Sequence, residues 1–175
     1  MKKVRFVLLI HIIFFIGWAG IEEYRLYKPE IILLKTLPVD PRDLISGHYM
    51  TLNYALSNPV NIPGFKKEDM TNYSTDVFVY LEPVEKIVVN NVQRFIYLPS
   101  SVKYNCNFPA NVNSDRGVWV KGYYLKNSGN IVYGIEKYYF SEKRKEKLNK
   151  LRSGDFYVEI NVDKYGTMRV KDLIY

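Results

Sequence analysis

The chain has 175 residues, 47 % of them hydrophobic and 16 of them tyrosine, and a formal net charge of +7. That is the size of a single domain with a small appendage, apolar enough for a core and too apolar for a disordered chain. Lys2, Lys3 and Arg5 carry part of the charge ahead of any folded body. The rest falls short of a nucleic-acid-binding signature, so no nucleic-acid partner is expected. The lone cysteine, Cys106, excludes an intramolecular disulfide and reads as an ordinary loop or core residue. No Cys/His cluster exists in the sequence to hold zinc, and neither a metal nor a cofactor is expected.

Residues 1–22 read as a transmembrane helix. Its apolar run, Val4 to Ile21, holds Arg5 at its start and otherwise only His11. Roughly 18 such residues just span a hydrocarbon core when helical. Cations before the run and Glu22 and Glu23 after it predict an N-terminus inside and a C-terminal domain outside. Trp18 stands where an interfacial aromatic belongs. A cleaved signal peptide is the rival reading, but the apolar run is long for one and "GWAG" is a poor cleavage site. An uncleaved signal anchor is favoured. His11 has no ionisable partner in the span and reads as a tolerated neutral imidazole.

Residues 23–175 read as one β-rich body outside the cytoplasm. A strand is expected near Ile31–Thr36, closed by Pro38 and Pro41, since residues before proline are pushed to extended conformations. Asp40-Pro41-Arg42-Asp43 suits a turn, and Gly47 offers a pivot into the next strand. From His48 to Leu56 the chain alternates: Met50, Leu52, Tyr54 and Leu56 share one face, the expected core side, and Tyr49, Thr51, Asn53 and Ala55 the other. Ser57–Thr75 reads as a long loop. Strands resume at Asp76, with a tight turn at Asn90-Asn91 and a second long loop from Pro99 to Asp115. A hairpin tipped by Ser128-Gly129 follows, its second arm running on to Phe140. Ser141–Gly154 is the one helix expected in the body, with a cap at Ser141 and a narrow stripe of Leu148 and Leu151. Its basic face reads as solvated. A closing hairpin turns at Lys164–Gly166. Many short strands with one helix predict a mainly β, antiparallel barrel- or sandwich-like domain with one short surface helix.

"PVDPRDLISGHYMTLNY" resembles the signature of the bacterial GDYXXLXY family: Gly47, Tyr49, Leu52 and Tyr54 match in register. "YGIEKYYFSE", Tyr133 to Glu142, is similar to a second shared block that also leads into a charged helix. With the N-terminal anchor and the closing hairpin, the resemblance spans nearly the whole chain. The family's Asp after the glycine is His48 here. A motif that survives loss of its acid looks like a turn-and-strand signature rather than an active site. The resemblance implies a membrane-anchored envelope protein of no established activity, working beside a multi-pass membrane protein.

Chemistry-bearing patterns are sparse. The sequence has no HExxH, no CxxC, no EF-hand loop and no glycine-rich phosphate loop. Ser46 and His48 are too close on a strand entry to aim at each other as nucleophile and base. The candidate constellation is Arg42, Asp43, His48, Tyr49, Tyr54 and Glu136. One reading is a small polar pocket ringed by tyrosine hydroxyls. The favoured reading is structural: an Arg42–Glu136 ion pair, with tyrosines filling the core and their hydroxyls at its margin. The expected function is an accessory or interaction module docking on a membrane-protein partner, in contact with the lipid bilayer through the anchor. The expected location is the cytoplasmic membrane, single-pass, with the body extracytoplasmic (periplasmic where a second membrane surrounds the cell). The alternative is an enzyme on an envelope substrate with Asp43 or Glu136 as acid/base.

Overall fold

The computed structural model describes residues 2–25, 29–37, 45–46, 49–67, 74–89, 92–104, 113–114, 117–141, 144 and 156–174. Helix α1 (Lys2–Arg25) comes first, with its side chains described from Val7 to Ile21. Leu8, Leu9, Ile12, Ile13, Phe14, Phe15, Ile16 and Ile21 are all more than half exposed, so α1 does not pack into the core. The His11 Nδ1–H donates to the Val7 carbonyl at 2.9 Å, satisfying the one polar ring in the run. Among the described residues no helix is long and apolar enough to cross a membrane.

The remainder is mainly β. The strands are β1 (Glu30–Lys35), β2 (Ile45–Ser46), β3 (Tyr49–Thr51), β4 (Ser74–Val89), β5 (Val92–Tyr104) and β6 (Asn113–Ser114). They continue with β7 (Gly117–Leu125), β8 (Asn130–Val132), β9 (Lys137–Tyr139), β10 (Tyr157–Val162) and β11 (Met168–Ile174). The main sheet runs β11-β10-β1-β5-β4-β7-β6, with β8 also on β7, and a small sheet runs β2-β3-β9. The main sheet curls into a half-barrel. It is brought round by one backbone bond, the Lys121 N–H of β7 donating to the Gly166 carbonyl in the β10–β11 turn at 2.8 Å.

The mainly β, barrel-like expectation holds as a half-barrel, with two refinements. Among the described residues the curled main sheet is not closed by strand pairing, and β1 lies parallel to β5, through Leu33 and Ile96. No hairpin joins β1 to either neighbour, so nothing local forces its direction. The body is inward-facing β throughout its core: Ile32 and Leu34 of β1, Val77, Val79 and Leu81 of β4, Val118 and Val120 of β7, and Val158 and Ile160 of β10 are all buried. Their spacing of two is what the pleat demands.

The expected loop from Pro99 is strand as far as Tyr104. Pro99 stands opposite Leu81 and Pro83 opposite Tyr97, and the register shifts beside each, between Tyr80 and Leu81 and between Pro83 and Glu85. A proline has no N–H for the ladder, and a bulge is where a strand accommodates one. The expected strand His48–Leu56 is shorter. After β3 and an isolated bridge from Thr36 to Tyr54, the chain turns into a 3-10 helix at Ala55–Ser57 and a second at Pro59–Asn61. Asn58 caps the second, accepting the Val60 N–H at 3.1 Å, and Pro59 sits in its first turn. Even so, Met50, Leu52, Tyr54 and Leu56 are all at most 3 % exposed, as the alternation requires.

The expected hairpins stand. Val89 pairs with Val92, Leu125 with Asn130, and Val162 with Met168. The second arm after Ser128-Gly129 breaks early, however. Gly134 adopts φ +81°, a left-handed conformation that suits only glycine, and the chain leaves β7 for the small sheet. Of the expected helix at 141–154, Ser141 and Arg144 lie within the described residues, joined by an Arg144 N–H to Ser141 carbonyl bond of 2.9 Å. Cys106 and the Asn90-Asn91 turn lie outside them.

Candidate functional site

The two sequence blocks that stand out, 49–56 and 133–140, are zipped against each other. Tyr49, Met50 and Thr51 pair antiparallel with Tyr139, Tyr138 and Lys137. The Leu52 N–H then donates to the Glu136 carbonyl at 2.8 Å. Side chains continue where the ladder stops. The Tyr54 hydroxyl donates to the Ile135 carbonyl at 3.0 Å, and the Tyr133 hydroxyl returns the contact, donating to the Leu56 carbonyl at 3.1 Å. From the other flank, the Leu37 N–H reaches the Asn53 carbonyl at 2.8 Å, and Thr36 Oγ1 donates to the Phe156 carbonyl at 3.0 Å. The motif segment is therefore a seam between the end of β1 and the small sheet.

Glu136 holds the bend that makes this crossing feasible. Its Oε1 accepts the Tyr133 N–H at 2.6 Å and its Oε2 the Gly134 N–H at 2.9 Å. Both oxygens are engaged by the backbone of the same loop, a charge-assisted pair that fixes the turn. Burial first, and the Glu136 charge second, push the Tyr54 and Tyr133 hydroxyls far above the ordinary tyrosine range. Both hydroxyls donate in their neutral form. Tyr133 also lies flat on Gly122 of β7, where an added Cβ would come within 2.7 Å of the ring and of Ile131.

Of the sequence-derived constellation, Tyr54 and Glu136 are brought to one seam. Tyr49 points to the opposite side. It is half-buried beside Tyr139, ring centroids 5.8 Å apart, with Lys137 Nζ 5.0 Å above its ring. Arg42, Asp43 and His48 lie outside the described residues. The missed member is Tyr133. Its signal was present, since it opens the second shared block, but an aromatic in an alternating arm reads as core.

A second polar cluster joins the two sheets. Asp172 Oδ1 of β11 accepts the Tyr138 hydroxyl at 3.1 Å and lies 2.7 Å from Arg144 Nη1, which also donates to Tyr138 at 2.9 Å. Burial works to raise the Asp172 carboxyl. Hydrogen bonds from Arg144, the Leu173 N–H and Tyr138, with the Arg144 charge, outweigh it and hold the group below its usual range. Nothing in the sequence pairs Asp172 with Arg144. Among the described residues, no group of His, Cys, Asp and Glu is gathered to hold a metal.

An open groove of about 480 Å³ lies between the Pro59–Asn61 helix and the β7–β8 turn, lined by Asn58, Val60, Ile62, Phe65, Lys67 and Tyr124 among others. Phe65 lines it, its ring tilted against Tyr124 with centroids 5.4 Å apart and edge-to-face with Tyr104 at 5.7 Å, and Tyr104 accepts the Lys66 N–H at 2.7 Å. Its volume falls in the range of small-ligand sites.

No curated protein and no solved structure matches the chain. The family model described as "GDYXXLXY protein" matches residues 11–173. The match takes in both zipped blocks, the seam between them and the closing hairpin, and on that extent the chain belongs to the GDYXXLXY family.

Proposed function

We propose that the chain is a single-pass envelope protein, held in the cytoplasmic membrane by α1, whose extracytoplasmic body acts as an accessory or interaction module for a membrane-protein partner. The observation that carries this reading is α1. Apolar residues stand on every face of it, from Leu8 round to Ile16, and they are 49 % to 67 % exposed. A helix apolar all round is at home either deep in a core or in lipid, and the core here is built of strands. The stretch of α1 whose side chains are described, Val7–Ile21, is too short to cross alone, and the full sequence run Val4–Ile21 makes about 27 Å of helix at 1.5 Å per residue, close to the hydrocarbon thickness of about 30 Å. The cations before it orient the body outward.

An interaction role is supported by what the motif residues do. Tyr54, Tyr133 and Glu136 are used up in holding the seam. An acid/base role for Glu136 would have to free a carboxylate whose two oxygens already bind the backbone. For the enzyme reading that leaves Asp43, which lies outside the described residues.

Two experiments test this. Alkaline carbonate extraction of membranes, with protease added from outside the cytoplasmic membrane, should leave the chain in the pellet with its body digestible. Extraction into the supernatant overturns the anchor. Detergent co-purification should return a reproducible membrane protein. Recovery of the chain alone, together with a phenotype abolished by Asp43→Asn in a folded protein, would favour the enzyme.

A further inference from the structure

The strand register says which end of the body faces the anchor. Glu30, the first residue of β1, pairs with Val162 at the end of β10. Leu33 pairs in parallel with Ile96, so three residues back along both strands Glu30 is level with Gln93. Past that level, toward the end of β1 that α1 precedes, lies Val92, paired with Val89 at the end of β4. From Arg25 to Glu30 the chain can reach at most about 18 Å. The opposite end carries the β7–β8 turn, because Ser74 at the start of β4 pairs with Leu125. β4 alone has 16 residues. At about 3.3 Å each, that puts the two ends roughly 50 Å apart.

The α1-proximal end has an unusual surface. Val88 is 68 % exposed and Val92 47 %, and Val88 and Val89 are neighbours on one strand, so apolar groups stand on both faces of the hairpin tip. Phe95 is 45 % exposed under the Lys86 ammonium, 5.8 Å from its ring centroid. A strand tip apolar on both faces has no core to serve. An aliphatic strand end backed by an aromatic ring under a long cation matches the composition of the lipid headgroup layer, where amphipathic side chains keep their charges in water.

We infer that the end of the β4–β5 hairpin, Val88 and Val92, seats in the headgroup layer of the membrane that α1 enters, with Lys86 and Phe95 behind it on the same hairpin. This rests on the anchor reading given above. The interfacial layer is about 5–7 Å deep on each side, within reach of a tip tethered this closely. Seated so, the body has two attachments to the bilayer instead of one. Its tilt is then fixed, and the groove beside Phe65 and Tyr124 points away from the membrane.

The test uses the full chain with Cys106→Ser and a single new cysteine, Val88→Cys, labelled with an environment-sensitive fluorophore. Ser128→Cys in the distal turn is the comparison. Both proteins are reconstituted into vesicles of phosphatidylcholine and phosphatidylglycerol and floated on a density gradient. The label at 88 should be blue-shifted and quenched severalfold more by brominated lipid than the label at 128. Val92→Cys repeats the reading, and neither valine is packed in the core. If the protein floats but the two labels are equally wet, the hairpin inference is overturned and the anchor stands. A label at 88 that is shielded in native membranes but wet in pure lipid overturns lipid contact in favour of a protein partner. If the protein does not float, the anchor falls and the inference with it.

Discussion

Tyr54 and Tyr133 tie the motif segment to the 133–140 block from inside, while Tyr49 and Tyr139 tie the same two blocks from outside. The inner pair is at most 5 % exposed, and each hydroxyl donates to a backbone carbonyl of the other block. The outer pair rests ring against ring, with Tyr139 69 % exposed and no hydroxyl bond needed to make the contact. One residue type thus does two jobs at a spacing of a few residues. The difference teaches that a motif's tyrosines are not interchangeable evidence for a site. The inner ones specify the crossing of two sheets, and the outer ones leave an aromatic surface beside Lys137.

The contrast breaks most sharply by truncation. Leu52 is 1 % exposed in the core, so Leu52→Ala should cost about 2–5 kcal/mol in denaturant unfolding of the detergent-solubilised chain. The outer Tyr49→Ala should cost less than about 1 kcal/mol, the size of one cross-strand pair. Equal losses would mean that the two faces are not distinct. Next comes Gly122→Ala, whose new methyl group would meet Tyr133 and Ile131 and should cost about 1–3 kcal/mol by overpacking. Adding Tyr133→Ala should recover little of it if the hydroxyl bond also matters.

Tyr54→Phe and Tyr133→Phe should each cost about 1–2 kcal/mol by leaving a buried carbonyl without its donor. They also carry a pH signature. The folded values of both tyrosines are raised, so their contribution is whole below the unfolded value of about 10 and is lost as pH rises past it. The alkaline limb of stability should flatten in the double variant. The smallest effect is at the outer clamp. Asp172 is held low, so its contribution is present above about pH 4 and lost as pH falls through the folded value. Asp172→Asn should remove that acid dependence with little change at neutral pH, because the side chain is 42 % exposed. Unfolding scans across pH check both.

The core face of the motif was legible because alternation is a local signal: Met50, Leu52, Tyr54 and Leu56 are buried even though the strand gives way to a 3-10 helix at Ala55. The hairpins were legible from their turn residues for the same reason. The parallel pairing of β1 with β5 was not, since neither strand carries a mark of its partner. The break at Gly134 had a signal that went unused. A glycine two residues before a carboxylate, inside an arm too long for its hairpin, is the pattern of a side chain binding the turn behind it. The reach of Arg144 to Asp172 depends on how β11 packs beside the small sheet, and no spacing in the sequence encodes that distance.

The bond from the Lys121 N–H to the Gly166 carbonyl has a consequence for how the body avoids its own kind. The flank of β7 away from β4 is divided among β6, that turn and β8, so no long row of vacant amides is left there to recruit another chain. The other border of the sheet is β11, and its line of Arg169, Lys171 and Asp172 would have to shed water before an incoming strand could add. One border is filled and the other is charged, and both features disfavour the addition of a strand from another copy to this tyrosine-rich sheet.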